Sequence, residues 1–451
     1  MTGLVYFAGT LYWVGAVMRT YGGLGWFVSV AVALALVAYL ALYPAVFALV
    51  CGRLLGAFGP AAILLSPAVW VATELGRAYL FTGFPWVLLG YSQARILQIA
   101  QLASLFGVFG LSALVAIVNA ALAYLLFARS LRSRGLTVAV AIGCVVAASV
   151  WGTLRLNGDR LVPDGAPLSV GIVQGNVPQD EKWDASRASA IFHRHLQLTR
   201  EAAARGARFI VWPESSTPFL FEQDLFGRDA IRGIAVQTNS HILVGSDQIE
   251  QSRPPKYYNA AFLVGPDGRT LAVYRKMHLV PFGEYVPLKR VFFFVTPLVE
   301  AVSDFSAGEE AVLLPLGTHP FSTAICFEIV YPDLVRRFVT VGSELLTTIT
   351  NDAWFGRSSA PYQHFEQASL RAIETGRFLV RSANTGISGI VDPYGRVLQR
   401  SRLFESAVLV GEVRALTGLT LYARIGDLVA YLATALTLVA LGSAIVTGRR
   451  R

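Results

Sequence analysis

Apolar runs long enough to cross a bilayer punctuate both ends of this chain, and they decide most of what it can fold into. Leu4–Met18, Trp26–Val50, Pro60–Tyr79, Leu102–Phe127, Leu136–Leu154 and Leu428–Val446 carry almost no charge. A helix needs about 20 residues to cross ~30 Å of hydrocarbon, and only the first, glycine-containing run falls short. That run is not expected to be a cleaved leader, because it lacks a basic start and a small-residue cleavage site. The composition agrees: 54% of residues are hydrophobic and 15% charged, against about 25% charged in ordinary soluble domains. The expected organisation is a polytopic α-helical membrane domain over 1–155, a globular domain over 156–426, and a last span with a basic tail over 427–451.

Charge sets the expected orientation. Arg53, the group Arg129, Arg132 and Arg134, and the terminal Arg449, Arg450 and Arg451 fall on one side if the spans alternate. Lys and Arg concentrate on the cytoplasmic side of membrane proteins. The globular domain is therefore expected outside the bacterial cytoplasmic (inner) membrane, facing the periplasm. The loop 81–101, rich in aromatic residues and glycine, falls on that same outer side and reads as an interfacial anchor. The net charge of +9 belongs to this topology and to anionic lipid. The basic residues are not gathered on one helix with interleaved aromatics, so nucleic acid is not expected as a partner. Within the spans, Glu74 and Arg77 lie one helical turn apart and are expected to pair rather than to mark a transport path.

The globular stretch alternates apolar strands with amphipathic helices. Strands are expected at Leu168–Gln174, Phe209–Trp212, His241–Gly245, Tyr258–Val264, Thr270–Tyr274, Phe321–Cys326, Leu345–Thr350, Phe378–Ser382 and Ser388–Val391, with helices at Ser186–Arg205 and Pro361–Arg377. Continuously apolar strands imply sheets covered by helices, an α/β class. Three ionisable residues each follow such a strand: Glu214 in Val-Trp-Pro-Glu-Ser, Lys276 in Tyr-Arg-Lys-Met-His, and Cys326 in Ile-Cys-Phe-Glu. The three cysteines cannot form a disulfide framework, and Cys51 and Cys144 sit in or beside apolar runs. A lone cysteine is more often a small buried hydrophobe than a nucleophile. At a strand end beside a carboxylate and an ammonium, however, Cys326 can carry an acyl group while Glu214 moves the proton and Lys276 steadies an oxyanion.

The order Glu, Lys, Cys in these contexts resembles the nitrilase (carbon-nitrogen hydrolase) superfamily, which implies an α-β-β-α sandwich. Trp212-Pro213-Glu214-Ser215, the run Lys276–Pro287, Ile325–Glu328 and Asn351–Gly356 are more specific still. They resemble the membrane-embedded branch, the apolipoprotein N-acyltransferases. Gly83–Trp86, Gly90–Gln93, Val173–Asn176, His364-Phe365 and Thr417–Thr420 extend the likeness over essentially the whole chain.

The resemblance implies acyl transfer from a phospholipid, phosphatidylethanolamine above all, through a Cys326 thioester to the α-amine of a diacylglyceryl apolipoprotein. Glu214 would be the base and Lys276 the oxyanion partner, with Glu284 and Glu328 as supporting acidic residues. No cofactor or metal is implied, and the protein is expected as a monomer. Relatives usually have eight spans against the six counted here, the difference lying ahead of Leu4; an even number leaves the orientation of the rest unchanged. Phe327 stands where some relatives carry Tyr. The alternative is a membrane-tethered amidase that uses the same three residues with water as acceptor, while a non-catalytic scaffold would not be expected to keep all three.

Overall fold

The computed structural model describes residues 1–128, 130–158, 161, 166–285 and 304–449. Arg129, Arg450 and Arg451 of the charge argument, and Val286 and Pro287 of the motif after Lys276, lie outside the described residues. The chain opens with helices α1 (Thr2–Thr10), α2 (Trp13–Thr20), α3 (Trp26–Phe58), α4 (Ser66–Tyr79), α5 (Leu97–Ala100), α6 (Ala103–Phe127) and α7 (Leu131–Gly158). Among the described residues four helices are long and apolar enough to cross a membrane: Trp26–Phe58, Ala103–Phe127, Leu131–Gly158 and Leu428–Thr447.

Two apolar runs fold differently from a simple span. Leu4–Met18 is divided between α1 and α2, where the Trp13 indole donates to the Thr10 carbonyl across the break. Pro60–Tyr79 begins as a 3-10 turn over Pro60–Leu65 before α4 starts. Pro60 and Pro67 each stand in the first turn of their element, where the missing N–H costs no helical bond, and so mark the two starts.

The middle of the chain builds two six-stranded sheets. Strands β1 (Ala166–Gln174), β2 (Phe209–Val211), β3 (His241–Glu250), β4 (Lys256–Val264), β5 (Thr270–Arg275), β6 (Leu314–Leu316), β7 (His319–Ile325), β8 (Leu345–Thr350), β9 (Leu379–Ala383), β10 (Gly389–Val391), β11 (Val397–Arg400) and β12 (Ala407–Ala415) pair in the orders β12-β1-β2-β3-β4-β5 and β11-β10-β9-β8-β7-β6. Each sheet has three parallel strands, β1-β2-β3 and β7-β8-β9, with antiparallel strands on either side. Helices α8 (Ala185–Ala204) and α9 (Leu225–Thr238) cover the first sheet, while α10 (Pro332–Thr340) and α11 (Ala360–Thr375) cover the second. The short α12 (Leu421–Ile425) then leads into the apolar α13 (Leu428–Arg449).

Strand alternation makes the layers. Phe209 and Val211 point into the core between the sheets, with Phe321 and Ile325 opposite, and the Phe209 and Phe321 rings lie 4.7 Å apart. Their neighbours Ile210 and Trp212 point the other way, against Phe192 and Leu196 of α8 and Ile231 and Ile234 of α9. A period of two thus gives each strand one face for its partner sheet and one for its helices. These are the α-β-β-α layers that the resemblance implied. Strands β6, β11 and β12 and helices α9 and α10 were not anticipated.

Helix α11 also joins the sandwich to the apolar helices. On one side Phe365, Ala368 and Ala372 enter the core with β9. On the other, Gln363 Oε1 accepts from the indoles of Trp13 (3.3 Å) and Trp86 (2.8 Å), and Gln363 Nε2 donates to the Thr10 carbonyl (3.0 Å). Further along, Arg371 donates to the Tyr91 hydroxyl, and Glu374 accepts from Val108 N just after the positive-φ Gly107 of α6. Glu74 and Arg77 form a buried pair at 3.8 Å, as expected, and also support the 83–89 loop: Arg77 donates to the Trp86 carbonyl and Glu74 accepts from Leu89 N. That loop is not simply a surface anchor, because Trp86 is 1% exposed. Replacing Gln363 by Leu should strand the Trp86 indole donor, while the Trp13 indole keeps the Thr10 carbonyl, and destabilise the protein by about 1–3 kcal/mol. Thermal unfolding in detergent reads this as a clear drop in Tm, and an unchanged Tm would show that these bonds contribute nothing.

Candidate active site

Glu214, Lys276 and Cys326 all leave the carboxyl ends of strands at the same edge of the sandwich, the side on which sites of open α/β sheets form. The Glu214 turn follows β2 and is pressed against β3, where Gly245 permits the approach. A Cβ on Gly245 would sit 2.3 Å from the Pro213 carbonyl. Lys276 follows β5, its backbone N–H bonded to the Asn259 carbonyl of β4. Cys326 follows β7 with φ +54°, in the left-handed region that L side chains rarely adopt.

The side chains converge. Lys276, 1% exposed, donates to Glu284 Oε1 at 2.7 Å and lies 3.7 Å from Glu214 Oε1. Asn259 Nδ2 bridges the same two carboxylates, at 2.7 Å from Glu214 and 3.1 Å from Glu284. The other Glu214 oxygen accepts from Asn351 N at 2.8 Å, and the other Glu284 oxygen from Val280 N at 2.8 Å. Both carboxylates are thus oriented by fixed donors on one side while facing the ammonium on the other.

Glu328 does a different job. It is fully buried and accepts from Ile325 N, Met277 N, His278 N and the Tyr274 hydroxyl, at 2.7 to 3.0 Å. It therefore ties the exit of β5, which bears Lys276, to the exit of β7, which bears Cys326. Of the five residues singled out from the sequence, four share one hydrogen-bonded cluster or its electrostatic field, and Glu328 braces it from beneath.

The electrostatics follow from this packing. Burial pushes the Cys326 thiol well above its ordinary range; the Glu214 carboxylate pushes the same way, while Lys276 and a hydrogen bond from Thr350 oppose them. The resting group is a thiol. Burial works against the Lys276 ammonium, but Glu284, Glu214 and Cys326 together outweigh it and hold the lysine charged. Burial raises Glu328 to about 7 despite its donors. A second buried lysine, Lys182, donates to the Glu214 carbonyl at 3.3 Å, and burial lowers its pKa.

The walls are aromatic. Trp86 stacks on Phe327, the residue after the cysteine, with centroids 6.1 Å apart and planes 19° apart, and Phe84 lies 6.3 Å from the same ring. A cavity of about 180 Å³ opens alongside, between the apolar helices and the sandwich, with His278, Tyr331, Thr82 and Tyr79 in its lining.

Sequence reasoning did not single out Asn259, Lys182 or Arg381, and it gave no role to Asp352 or His364, although both lie in motifs quoted for the resemblance. A polar Asn inside the apolar strand Tyr-Tyr-Asn-Ala-Ala was the available signal for Asn259. Lys182 and Arg381 have no local signature, since the groups they meet come from distant segments.

Comparison with known proteins bears on the family to which the chain belongs. The carbon-nitrogen hydrolase family model matches residues 169–421, and the model of the apolipoprotein N-acyltransferase N-terminal domain matches residues 1–121. An apolipoprotein N-acyltransferase from Geobacter metallireducens is 42% identical over 439 residues, which span 96% of this chain and 83% of the relative. One from Methylococcus capsulatus is 36% identical over 426 residues, 92% of this chain and 81% of the relative. Among solved structures, a mutant of the Nesterenkonia AN1 amidase from the nitrilase superfamily is 20% identical, with 60% of this chain and 98% of that chain covered and a TM-score of 0.46. The protein is a membrane protein, and it belongs to the apolipoprotein N-acyltransferase family, in which apolar N-terminal helices are joined to a carbon-nitrogen hydrolase sandwich.

Proposed function

We propose that the protein transfers an acyl chain from a phospholipid to the α-amine of a diacylglyceryl apolipoprotein, with Glu214, Lys276 and Cys326 as base, oxyanion partner and nucleophile. The observation that carries this reading is the convergence of Glu214 and Lys276, 3.7 Å apart and rigidly held, in the electrostatic field of a cysteine at a strained strand end.

The chemistry follows from the charges. Glu284 neutralises Lys276 at 2.7 Å, which leaves Glu214 free to take a proton. Glu214 removes the thiol proton as sulfur attacks the ester carbonyl carbon of the phospholipid. The Lys276 ammonium stabilises the oxyanion that forms. Collapse breaks the carbon–oxygen ester bond, the departing lysophospholipid oxygen takes the proton from Glu214, and a Cys326 thioester remains. The acceptor amine then attacks the thioester and passes its proton to Glu214. The thiolate leaves, recovers that proton, and an amide is released. Charge is created and cancelled inside the site, so no step requires a permanent thiolate beside the Glu214 carboxylate.

The aromatic wall favours an amine acceptor over water. Phe84 and Trp86, which cover Phe327, come from the loop between α4 and α6, so the apolar helices supply part of the site itself. A phospholipid donor and a lipid-anchored acceptor both reach such a site from a membrane surface. In keeping with this we place the domain boundaries at 1–155, 156–426 and 427–451, the enzyme in the bacterial inner membrane with its sandwich on the periplasmic side, and the working unit as a monomer with phosphatidylethanolamine as donor.

Intact-protein mass spectrometry after incubation with phosphatidylethanolamine should show one acyl adduct on the wild type and none on Cys326→Ala; an adduct on the variant would rule out this nucleophile. Lys276→Met should slow adduct formation by about 100- to 1000-fold, the usual loss for one oxyanion donor, whereas a wild-type rate in folded variant would remove Lys276 from the mechanism. Because burial raises the thiol pKa, less thiolate exists at a given pH than for a free cysteine. Iodoacetamide labelling of Cys326 without lipid should therefore still be rising at a pH where a free thiol, with pKa about 8.5, has levelled off. A plateau near the free-thiol value would contradict that shift.

A further inference from the structure

A buried polar chain that the proposed chemistry does not use ends on the backbone of Cys326. His364 of α11, fully buried, directs Nε2 at the Cys326 carbonyl at 3.1 Å. Its Nδ1 lies 2.9 Å from Asp352 Oδ1 and 3.0 Å from Arg381 Nη2. Arg381 of β9 donates in turn to Asp352 Oδ2 at 2.9 Å, and Thr350 Oγ1 to Asp352 Oδ1 at 2.9 Å. Asp352 and Arg381 are both fully buried or nearly so. The loop after β9 closes over them through Gly386, where a Cβ would lie 2.3 Å from Asp352 Oδ2.

We propose that His364 is a positioning residue, which holds the Cys326 carbonyl and thereby the strained conformation that presents the thiol. This rests on the reading of Cys326 as the acyl-carrying nucleophile. A carbonyl oxygen only accepts, so Nε2 must bear a proton. Arg381 and Asp352, an ion pair fixed on two adjacent elements, hold the other edge of the ring and so determine where Nε2 points. Fixing the carbonyl fixes the whole planar peptide between Cys326 and Phe327. Without that bond, a residue at φ +54° has every reason to relax, because left-handed backbone is strained for a side chain other than glycine.

Two further contacts show what the chain coordinates. Asn351, the residue before Asp352, gives its backbone N–H to Glu214 at 2.8 Å. Consecutive residues of one turn therefore hold the base directly and the nucleophile through His364. On the other face of the ring lies Trp86, centroids 5.3 Å apart, from the loop between the apolar helices α4 and α6. The imidazole thus sits where the apolar helices, the base and the nucleophile turn meet.

The test compares three replacements at His364 in the full-length protein in phosphatidylethanolamine mixed micelles. Gln carries an amide nitrogen at the reach of Nε2 and can donate to the Cys326 carbonyl. Asn carries one at the reach of Nδ1 and cannot. Leu fills the volume with no donor. The readout is the single-turnover rate of acyl adduct formation per folded molecule, with its dependence on lipid concentration and the Tm of each variant. Leu and Asn should lose about 100-fold in the limiting rate, the scale of a 1 Å misplacement of a reacting group, with the half-saturating lipid concentration little changed. Gln should recover to within about tenfold of wild type. Should His364→Leu fail to fold, the Asn and Gln pair carries the comparison. Equal rates for Asn and Gln, or a wild-type rate in folded Leu variant, would reduce His364 to a packing residue and overturn the proposal. Those outcomes leave Cys326 acylation in place, whereas a wild type that forms no adduct would sink the functional reading and this one with it.

Discussion

The site depends first on one buried carboxylate. Lys276 follows a strand of one sheet and Cys326 a strand of the other, and nothing in a two-sheet sandwich requires those ends to stay in register. Glu328 imposes it by accepting from Ile325 N on one side and from Met277 N, His278 N and Tyr274 on the other. Burying a carboxylate costs several kcal/mol unless it is compensated, and charge-assisted bonds to backbone N–H groups are the strong kind that compensates. The same bonds would otherwise be unmet donors at two strand ends. A single side chain therefore satisfies the backbone where both strands stop and sets the spacing between ammonium and sulfur.

The second constraint is that helix α11 is engaged on two sides at once. Its apolar side is committed to β9, and its polar side to Trp13, Trp86, Tyr91 and Val108 of the apolar helices and their loops. Polar pairing at this seam makes the joint specific: an indole N–H or a backbone N–H left unpaired in a buried place is penalised, so sliding by one helical turn would lose several bonds at once. Gly107 illustrates the closeness, since a Cβ there would lie 2.4 Å from the Tyr422 ring.

Much of this was legible in the sequence, for a definite reason. Glu214, Lys276 and Cys326 each stand directly after an apolar strand, and a strand end is a local feature that periodicity exposes. The layered fold was legible because continuously apolar strands need cover. What escaped were the short strands β6 and β11 at the two opposite edges of the second sheet, strand β12, whose partner β1 lies far away in sequence, and the helices α9 and α10. The roles of Asn259, His364, Asp352 and Arg381 escaped for a deeper reason, since each is defined by what three or four distant segments bring to it. The broken runs at Leu11 and Pro60 show the converse error of scale: hydropathy reports that a stretch is apolar, while the place where a helix breaks is a local matter of backbone that hydropathy does not carry.

On the proposed reading, the choice between an amine and water follows from where the walls come from. A hydrolase needs only the sandwich, its base and an open path for solvent. Here Trp86 and Phe84 arrive from the apolar helices and pack on Phe327 beside the sulfur, and Arg77 holds the Trp86 carbonyl from within α4. A thioester formed under that cover is shielded on its apolar side, and the groups that can reach it are those that arrive along a membrane surface. Water exclusion is then a property of the joint between the two halves rather than of the nucleophile's own turn. The sandwich by itself would keep the charges of Glu214, Lys276 and Glu284 and lose the selectivity, which is the physical sense in which the membrane helices belong to the active site.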